Sequence, residues 1–213
     1  MYSGITKGLF EVITLISNPW LINYTIRLTP ELCVNLNPGD SMSVNGVCQT
    51  LVHLENSCAS FQAIAETLEK TTLSELQQGA YVSVERSLCF GDEIGGHEIA
   101  GHVFGTAIIY QKIAVHPNLT LVIQCNPDWM KYILPKGFIA VDGSSLTIGK
   151  TIPHLGLFEL HLIPETLRLT NFAHKKIQDK VNIEFDYKTK TIVDTVERIF
   201  LLLHPKFSFD ENI

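Results

Sequence analysis

The stretch VNGVCQT, Val44 to Thr50, is written almost unchanged a second time as VDGSSLT, Val141 to Thr147. The frame Val-(Asn/Asp)-Gly-x-(Cys/Ser)-x-Thr is kept, but a thiol has become a hydroxyl. The two phrases lie 97 residues apart, and the same offset pairs Gly4 with Gly101 and Gly8 with Gly105. Two further pairs of blocks follow in the same order at an offset of 99: AETLEKTTL (65–73) with PETLRLTNF (164–172), and VSVER (82–86) with VNIEF (181–185). One such block is within the reach of chance. Ordered blocks at a nearly constant offset mark an internal duplication, with copies at about 1–97 and 98–187.

Asn-Gly and Asp-Gly between apolar runs predict two-residue hairpins, because both central residues of a type I′ turn need positive φ. SMSV-NG-VCQTLVHL and FIAV-DG-SSLTIG therefore each read as two antiparallel strands. VSVER, TAIIYQKIAV, LTLVIQ, FELHLI and VNIEF are strand-like too, while ETLEKTTLSEL and NPDWMKYIL carry short helical signals. Many short strands between turns predict an all-β chain with a small barrel in each copy. Along the returning strand, period two puts Val47, Gln49, Leu51 and His53 on one face and Cys48, Thr50 and Val52 on the other. In the second copy Ser145 and Thr147 oppose Ser144, Leu146 and Ile148. The Leu/Ile face is the expected interior, so Cys48 and Ser145 point outward. Gln49 stands on the interior face where the second copy has Leu146, so its amide needs a partner.

After residue 187 the period changes. Ile192, Val196, Ile199 and Leu203 recur at helical spacing, Thr191 or Thr195 is the candidate N-cap, and Pro205 ends the run. The apolar stripe packs either on the chain's own barrels or on partner chains.

Bulk properties narrow the function. With 213 residues, 46% apolar and 18% charged, two small packed domains are feasible. A net charge of −6 without a basic run argues against a nucleic-acid partner. No apolar run reaches the roughly 18 residues that span a bilayer, and the N-terminal stretch reads as a first strand. Five cysteines with no CxxC suit a reducing cytosol. GxGxxG, Walker and metal-quartet motifs are not found in the sequence. GGHEIAGH (95–102) joins the copies, and its His97 and His102 are not at zinc spacing. Taken singly, Cys48, Ser145 and Asp186 read equally well as a half-buried thiol, a strand-edge hydroxyl and a turn aspartate. Thr67 and Thr166 read equally as helix N-caps.

At GITKG, GDSMSVNGVCQT, ETLEKTTL, VERSLCFGDEIGGHEIAGHVFGT, MKYILPKGFIAVDGSSLTIG, LHLIPETLRLTN, VNIEFD and TIVDTVERIF the chain resembles the riboflavin synthase family of the bacterial trimeric type, over nearly its whole length to about residue 204. The resemblance implies two tandem six-stranded antiparallel Greek-key barrels: an N-terminal lumazine-binding barrel at 1–97 and a C-terminal one at 98–195 that takes in the start of the last helix. An oligomerisation helix would span 190–204. It implies dismutation of two 6,7-dimethyl-8-ribityllumazine molecules into riboflavin and 5-amino-6-ribitylaminouracil, with no cofactor and no metal. It further implies a cytoplasmic homotrimer whose site lies between the N-barrel of one subunit and the C-barrel of its neighbour, and it leaves room for association with a lumazine synthase.

Carried over by position, the first pocket would use Gly4, Ile5 and Thr6; Cys48, Gln49 and Thr50; and Gln62, Ala63, Ile64, Ala65, Glu66 and Thr67. The second would use Gly101, His102 and Val103; Lys136; Ser145, Leu146 and Thr147; and His161, Leu162, Ile163, Pro164, Glu165 and Thr166. Cys48, His102, Ser145 and Asp186 are the implied catalytic groups, with Ser145 and Asp186 acting as a pair. Tyr2 and Ser3 replace the family's usual Phe-Thr, and Gln49 replaces a usual Leu. The rival reading is a lumazine- or flavin-binding protein of the same fold that does no chemistry. The retained His97 and His102 favour the enzyme.

Overall fold

A computed structural model describes residues 1–18 and 20–204. The first copy contains β1 (Leu9–Asn18), β2 (Leu21–Arg27), helix α1 (Pro30–Cys33), β3 (Ser41–Val44), β4 (Val47–Glu55), β5 (Cys58–Ile64), α2 (Ala65–Lys70) and β6 (Tyr81–Arg86). The second repeats the strands as β7 (Gly105–Val115), β8 (Asn118–Gln124), β9 (Phe138–Val141), β10 (Ser144–Ile152), β11 (Leu157–Leu162) and β12 (Lys180–Phe185), with α3 (Pro164–Leu169) in the place of α2. Each set closes into a six-stranded barrel, in the order β1-β2-β5-β4-β3-β6 and, equivalently, β7-β8-β11-β10-β9-β12. In the first barrel β3, β4 and β5 are consecutive hairpin partners and β6 returns beside β3, which is a Greek key.

The hairpins form as their residues demand. Asn45 and Gly46 have φ of +46° and +82°, and Asp142 and Gly143 have +44° and +80°. Val47, Gln49 and Leu51 are buried while Thr50 and Val52 are exposed, as the alternation predicts. His53 breaks that expectation: a register irregularity between Leu51 and His53 turns it outward, and Leu54 packs against the core instead. Buried Gln49 finds two partners. Its Oε1 accepts from the Tyr24 hydroxyl at 3.0 Å and its Nε2 donates to the Cys48 carbonyl at 2.9 Å.

The barrels meet along a pseudo-twofold relation. Tyr2 and Ile99, equivalent residues of the two copies, exchange backbone hydrogen bonds of 2.7 and 3.0 Å. The two hairpin turns lie back to back, so closely that a Cβ on Gly46 would sit 2.4 Å from the Gly143 nitrogen. The repeated glycine thus serves the barrel–barrel contact as well as the turn. Asn182 of β12 crosses the interface. Its Nδ2 donates to Asn45 O at 2.7 Å and to Thr72 Oγ1 at 2.9 Å, and its Oδ1 accepts from Thr72 N at 2.8 Å, all buried.

The last helix, α4 (Tyr187–Leu203), starts earlier than its apolar period suggests, and its cap is Asp186 rather than Thr191 or Thr195. The Asp186 carboxylate accepts from Thr189 N at 2.9 Å and Thr189 Oγ1 at 2.7 Å. Val193 packs on the second barrel's core, Asp194 accepts from Tyr132 OH, and Glu197 pairs with Lys131. These contacts hold one side of α4 to its own barrel. The stripe Ile192, Val196, Ile199 and Leu203 stays open, each residue 51–71% exposed. Pro205 lies outside the described residues.

Candidate active site

Each copy begins with a short lead-in segment, Ser3–Thr6 or Ala100–Val103, and a glutamate on the last strand of the same barrel pins it. Glu85 Oε1 accepts from Ser3 N and Ser3 Oγ, both at 2.7 Å, and Oε2 accepts from Gly4 N at 3.1 Å. Glu184 repeats this with Ala100 N at 2.7 Å and Gly101 N at 2.9 Å. Burial pushes both carboxyl groups above their ordinary range and outweighs these donors.

Having left its own glutamate, each segment lies on the other barrel. The Gly4 carbonyl accepts from Ser145 N, and the Gly101 carbonyl accepts from Cys48 N, both at 2.9 Å. A Cβ on Gly4 would be 2.5 Å from Ser145 Cβ, and one on Gly101 would be 2.7 Å from Cys48 Cβ, so only glycine permits the approach. The grouping expected from the sequence is therefore corrected. Gly4, Ile5 and Thr6 line a cavity of about 200 Å³ with Ser145, Ile163, Glu165 and Thr166. Gly101, His102 and Val103 line one of about 290 Å³ with Cys48, Glu66 and Thr67. A larger cleft of about 550 Å³, between Leu9, Tyr81, Asn171 and Lys175, holds none of the candidate catalytic groups.

In the smaller cavity the Ser145 hydroxyl lies 2.6 Å from His97 Nδ1. The His97 ring is buried and stacks on Phe138 at 5.2 Å. Burial lowers its pKa below the ordinary value, with the charge of Asp186 working against that shift. The expected Ser145–Asp186 pair is not formed: Ser145 bonds to His97, and Asp186 caps α4. Burial raises the Asp186 pKa, but the bonds from Thr189 and the field of His97 outweigh it and hold the carboxyl below its usual range.

In the larger cavity Cys48 is half-buried and accepts a hydrogen bond from the buried Tyr2 hydroxyl at 3.2 Å. His102 is exposed at the rim. Glu66 pairs with Lys70 at 2.8 Å, and Glu165 with Arg168 at 2.6 Å, so one helix in each copy brings an ionised carboxylate to its cavity. Thr67 and Thr166 are interior helix residues; the N-cap positions are Ile64 and Ile163.

The remaining candidates divide by role. Gln49, Ala63, Leu146 and Leu162 point into the barrel cores and offer a ligand only backbone. Exposed Gln62 bonds Asn23 Oδ1 at 2.8 Å, and its counterpart His161 bonds Thr120 at 3.0 Å through Nδ1. Lys136, at φ +68°, borders neither cavity. Among the described residues no cluster of His, Cys, Asp and Glu could hold a metal ion, and no helix is long and apolar enough to cross a membrane.

The Lumazine binding domain family matches twice, at residues 3–87 and 100–186. Riboflavin synthase of Escherichia coli (strain K12) is 38% identical over 200 residues, 93% of each chain. That of Chlamydia pneumoniae is 41% identical over 199 residues, covering 93% of this chain and 96% of its own. Among solved structures, LumP complexed with riboflavin superposes with a TM-score of 0.81 at 22% identity, over 87% of this chain and all of its own. LumP complexed with 6,7-dimethyl-8-(1'-D-ribityl) lumazine gives a TM-score of 0.77 at 22% identity, over 86% and 98% of the two chains. Two lumazine-binding domains in tandem, with the relatives aligned across both, place this chain in the riboflavin synthase family.

Proposed function

We propose that the chain converts two molecules of 6,7-dimethyl-8-ribityllumazine into riboflavin and 5-amino-6-ribitylaminouracil, one molecule giving a four-carbon unit to the other. The observation that carries this reading is the pair of cavities that share one plan and differ in their reactive groups: Cys48 and His102 line one, and Ser145, bonded from behind by buried His97, lines the other. A reaction between two copies of one substrate needs equivalent binding and unequal chemistry. Equivalent strands and helices supply the binding, and the swap at positions 48 and 145 supplies the difference.

The donor must lose a proton from its C7 methyl, and the acceptor must take a nucleophile at C7. His97, its pKa lowered by burial, is suited to take a proton through Nδ1 when its own proton sits on Nε2. Ser145 is the group that would pass it. Cys48 and exposed His102 would face the second substrate. Most of the acceleration would come from holding two lumazines in contact.

Cavities of about 290 and 200 Å³ are small beside usual ligand pockets of about 300–1,000 Å³, as expected of half-sites. We assign their completion to a neighbouring chain, the N-barrel cavity of one facing the C-barrel cavity of the next in a cytoplasmic homotrimer held by the open stripe of α4. Lys136, outside both cavities of its own chain, would then reach the neighbour's. Association with a lumazine synthase, which makes this substrate, belongs to the same reading. The test is to mix pure protein with 6,7-dimethyl-8-ribityllumazine and record both compounds by absorbance. Two lumazines should disappear for each riboflavin formed. Tight binding without riboflavin would mean a binding protein instead.

A further inference from the structure

Cys48 has a partner at every polar atom. Its N–H donates to Gly101 O at 2.9 Å, its carbonyl accepts from Gln49 Nε2 at 2.9 Å, and its sulfur accepts from Tyr2 OH at 3.2 Å. Gln49 is itself held by Tyr24 OH at 3.0 Å. Two tyrosine hydroxyls thus converge on residue 48, one directly and one through an amide. The second copy has nothing of the kind. The residues equivalent to Tyr2, Tyr24 and Gln49 are Ile99, Leu121 and Leu146, all buried and apolar. The equivalence is fixed by strand register as well as by offset: Tyr24 pairs with Phe61 as Leu121 pairs with Leu160, and Gln49 pairs with Met42 as Leu146 pairs with Ile139. Polar groups inside an apolar core are costly unless they are paired. Here three occur together, and only in the copy that carries the thiol.

We infer that Tyr2, backed by the Tyr24–Gln49 pair, is a positioning residue for Cys48 that aims its thiol into the N-barrel cavity and stabilises negative charge on the sulfur. The inference rests on the reading of Cys48 as a reacting group. The geometry supplies the donor: the Tyr2 hydroxyl donates to the sulfur at 3.2 Å, and burial keeps the phenol protonated so that the proton is there to give. A hydrogen bond donated to a charged sulfur is stronger than one to a neutral thiol, so the contact favours the nucleophilic form.

The test is Tyr2→Phe, which removes one oxygen and keeps the ring. Iodoacetamide labelling of Cys48, read by peptide mass spectrometry with Cys89 as internal reference, should slow about threefold. In turnover of 6,7-dimethyl-8-ribityllumazine, kcat should fall while KM stays within about twofold. In a Cys48→Ser background, Tyr2→Phe should cost little further activity, because the thiol it serves is gone. Unchanged labelling, or equal losses of kcat in both backgrounds, would overturn the assignment. Cys48→Ala separates the two levels. If that variant keeps full turnover, Cys48 is not a reacting group, yet slower labelling in Tyr2→Phe would still establish the coupling between the two side chains.

Discussion

Gly101→Ala tests the exchange of lead-in segments, and Gly79→Ala is its matched control. The two glycines have nearly the same backbone, φ +79° and +84°. Their surroundings differ. A Cβ on Gly101 would lie 2.7 Å from Cys48 Cβ and 2.8 Å from Cys48 N, whereas one on Gly79 would meet nothing within 4 Å. Left-handed backbone costs alanine about 1–2 kcal/mol at either site. Only at Gly101 must the segment also move off β4. That adds about 1–3 kcal/mol of overpacking and about 1 kcal/mol for the Cys48 N–H···O=C Gly101 bond, so the total is about 3–6 kcal/mol. Urea unfolding followed by intrinsic fluorescence should place Gly101→Ala well below Gly79→Ala, with weaker ligand binding in the Cys48 cavity. Equal destabilisation of the two variants would refute the close approach.

Asn182→Ala strands Asn45 O, Thr72 N and Thr72 Oγ1 at the barrel interface, so a loss of about 3–4 kcal/mol is expected, with the two barrels unfolding in separate steps on denaturant titration. For His97 the folded pKa lies below the unfolded one, so the unfolded chain binds more protons. Its contribution to stability is complete above about pH 6.5 and is lost as pH falls below that value, so His97→Gln should flatten the pH dependence of the urea midpoint below about pH 6.5. Ile199→Glu puts charge in the middle of the open stripe of α4; light scattering should find wild-type trimers and variant monomers, and an unchanged trimer would exclude the stripe as the contact.

The duplication and the barrels were legible because their signals are local. Asn45-Gly46 and Asp142-Gly143 dictate a turn by their own φ preferences, and strand alternation follows from the pleat. The composite nature of the cavities was not legible. An offset says that Gly4 and Gly101 are equivalent; it does not say that each touches the other's barrel, which depends on the pseudo-twofold packing. Period two puts His53 inside, but a strand irregularity, which leaves no mark in composition, turns it outward. Asp186 is a catalytic group only by resemblance, and an Asp three residues before Thr189 at the head of an apolar helical period is itself a capping signal. Glu85 and Glu184 do leave a trace: they are the carboxylate kept in both VSVER and VNIEF, each directly after three buried residues, Val82–Val84 and Val181–Ile183. His97 stood in the GGHEIAGH motif, but only the fold brings it to Ser145.

The central claim is that one reaction site combines the Cys48 cavity of one chain with the Ser145 cavity of another. Thr67→Trp should fill the first cavity and Thr166→Trp the second, and each variant alone should make no riboflavin. Unfolded together in equal amounts and refolded, they should regain about a quarter of wild-type turnover, since one in four random neighbour pairs joins two intact cavities. No recovery in correctly assembled mixed trimers would contradict the claim.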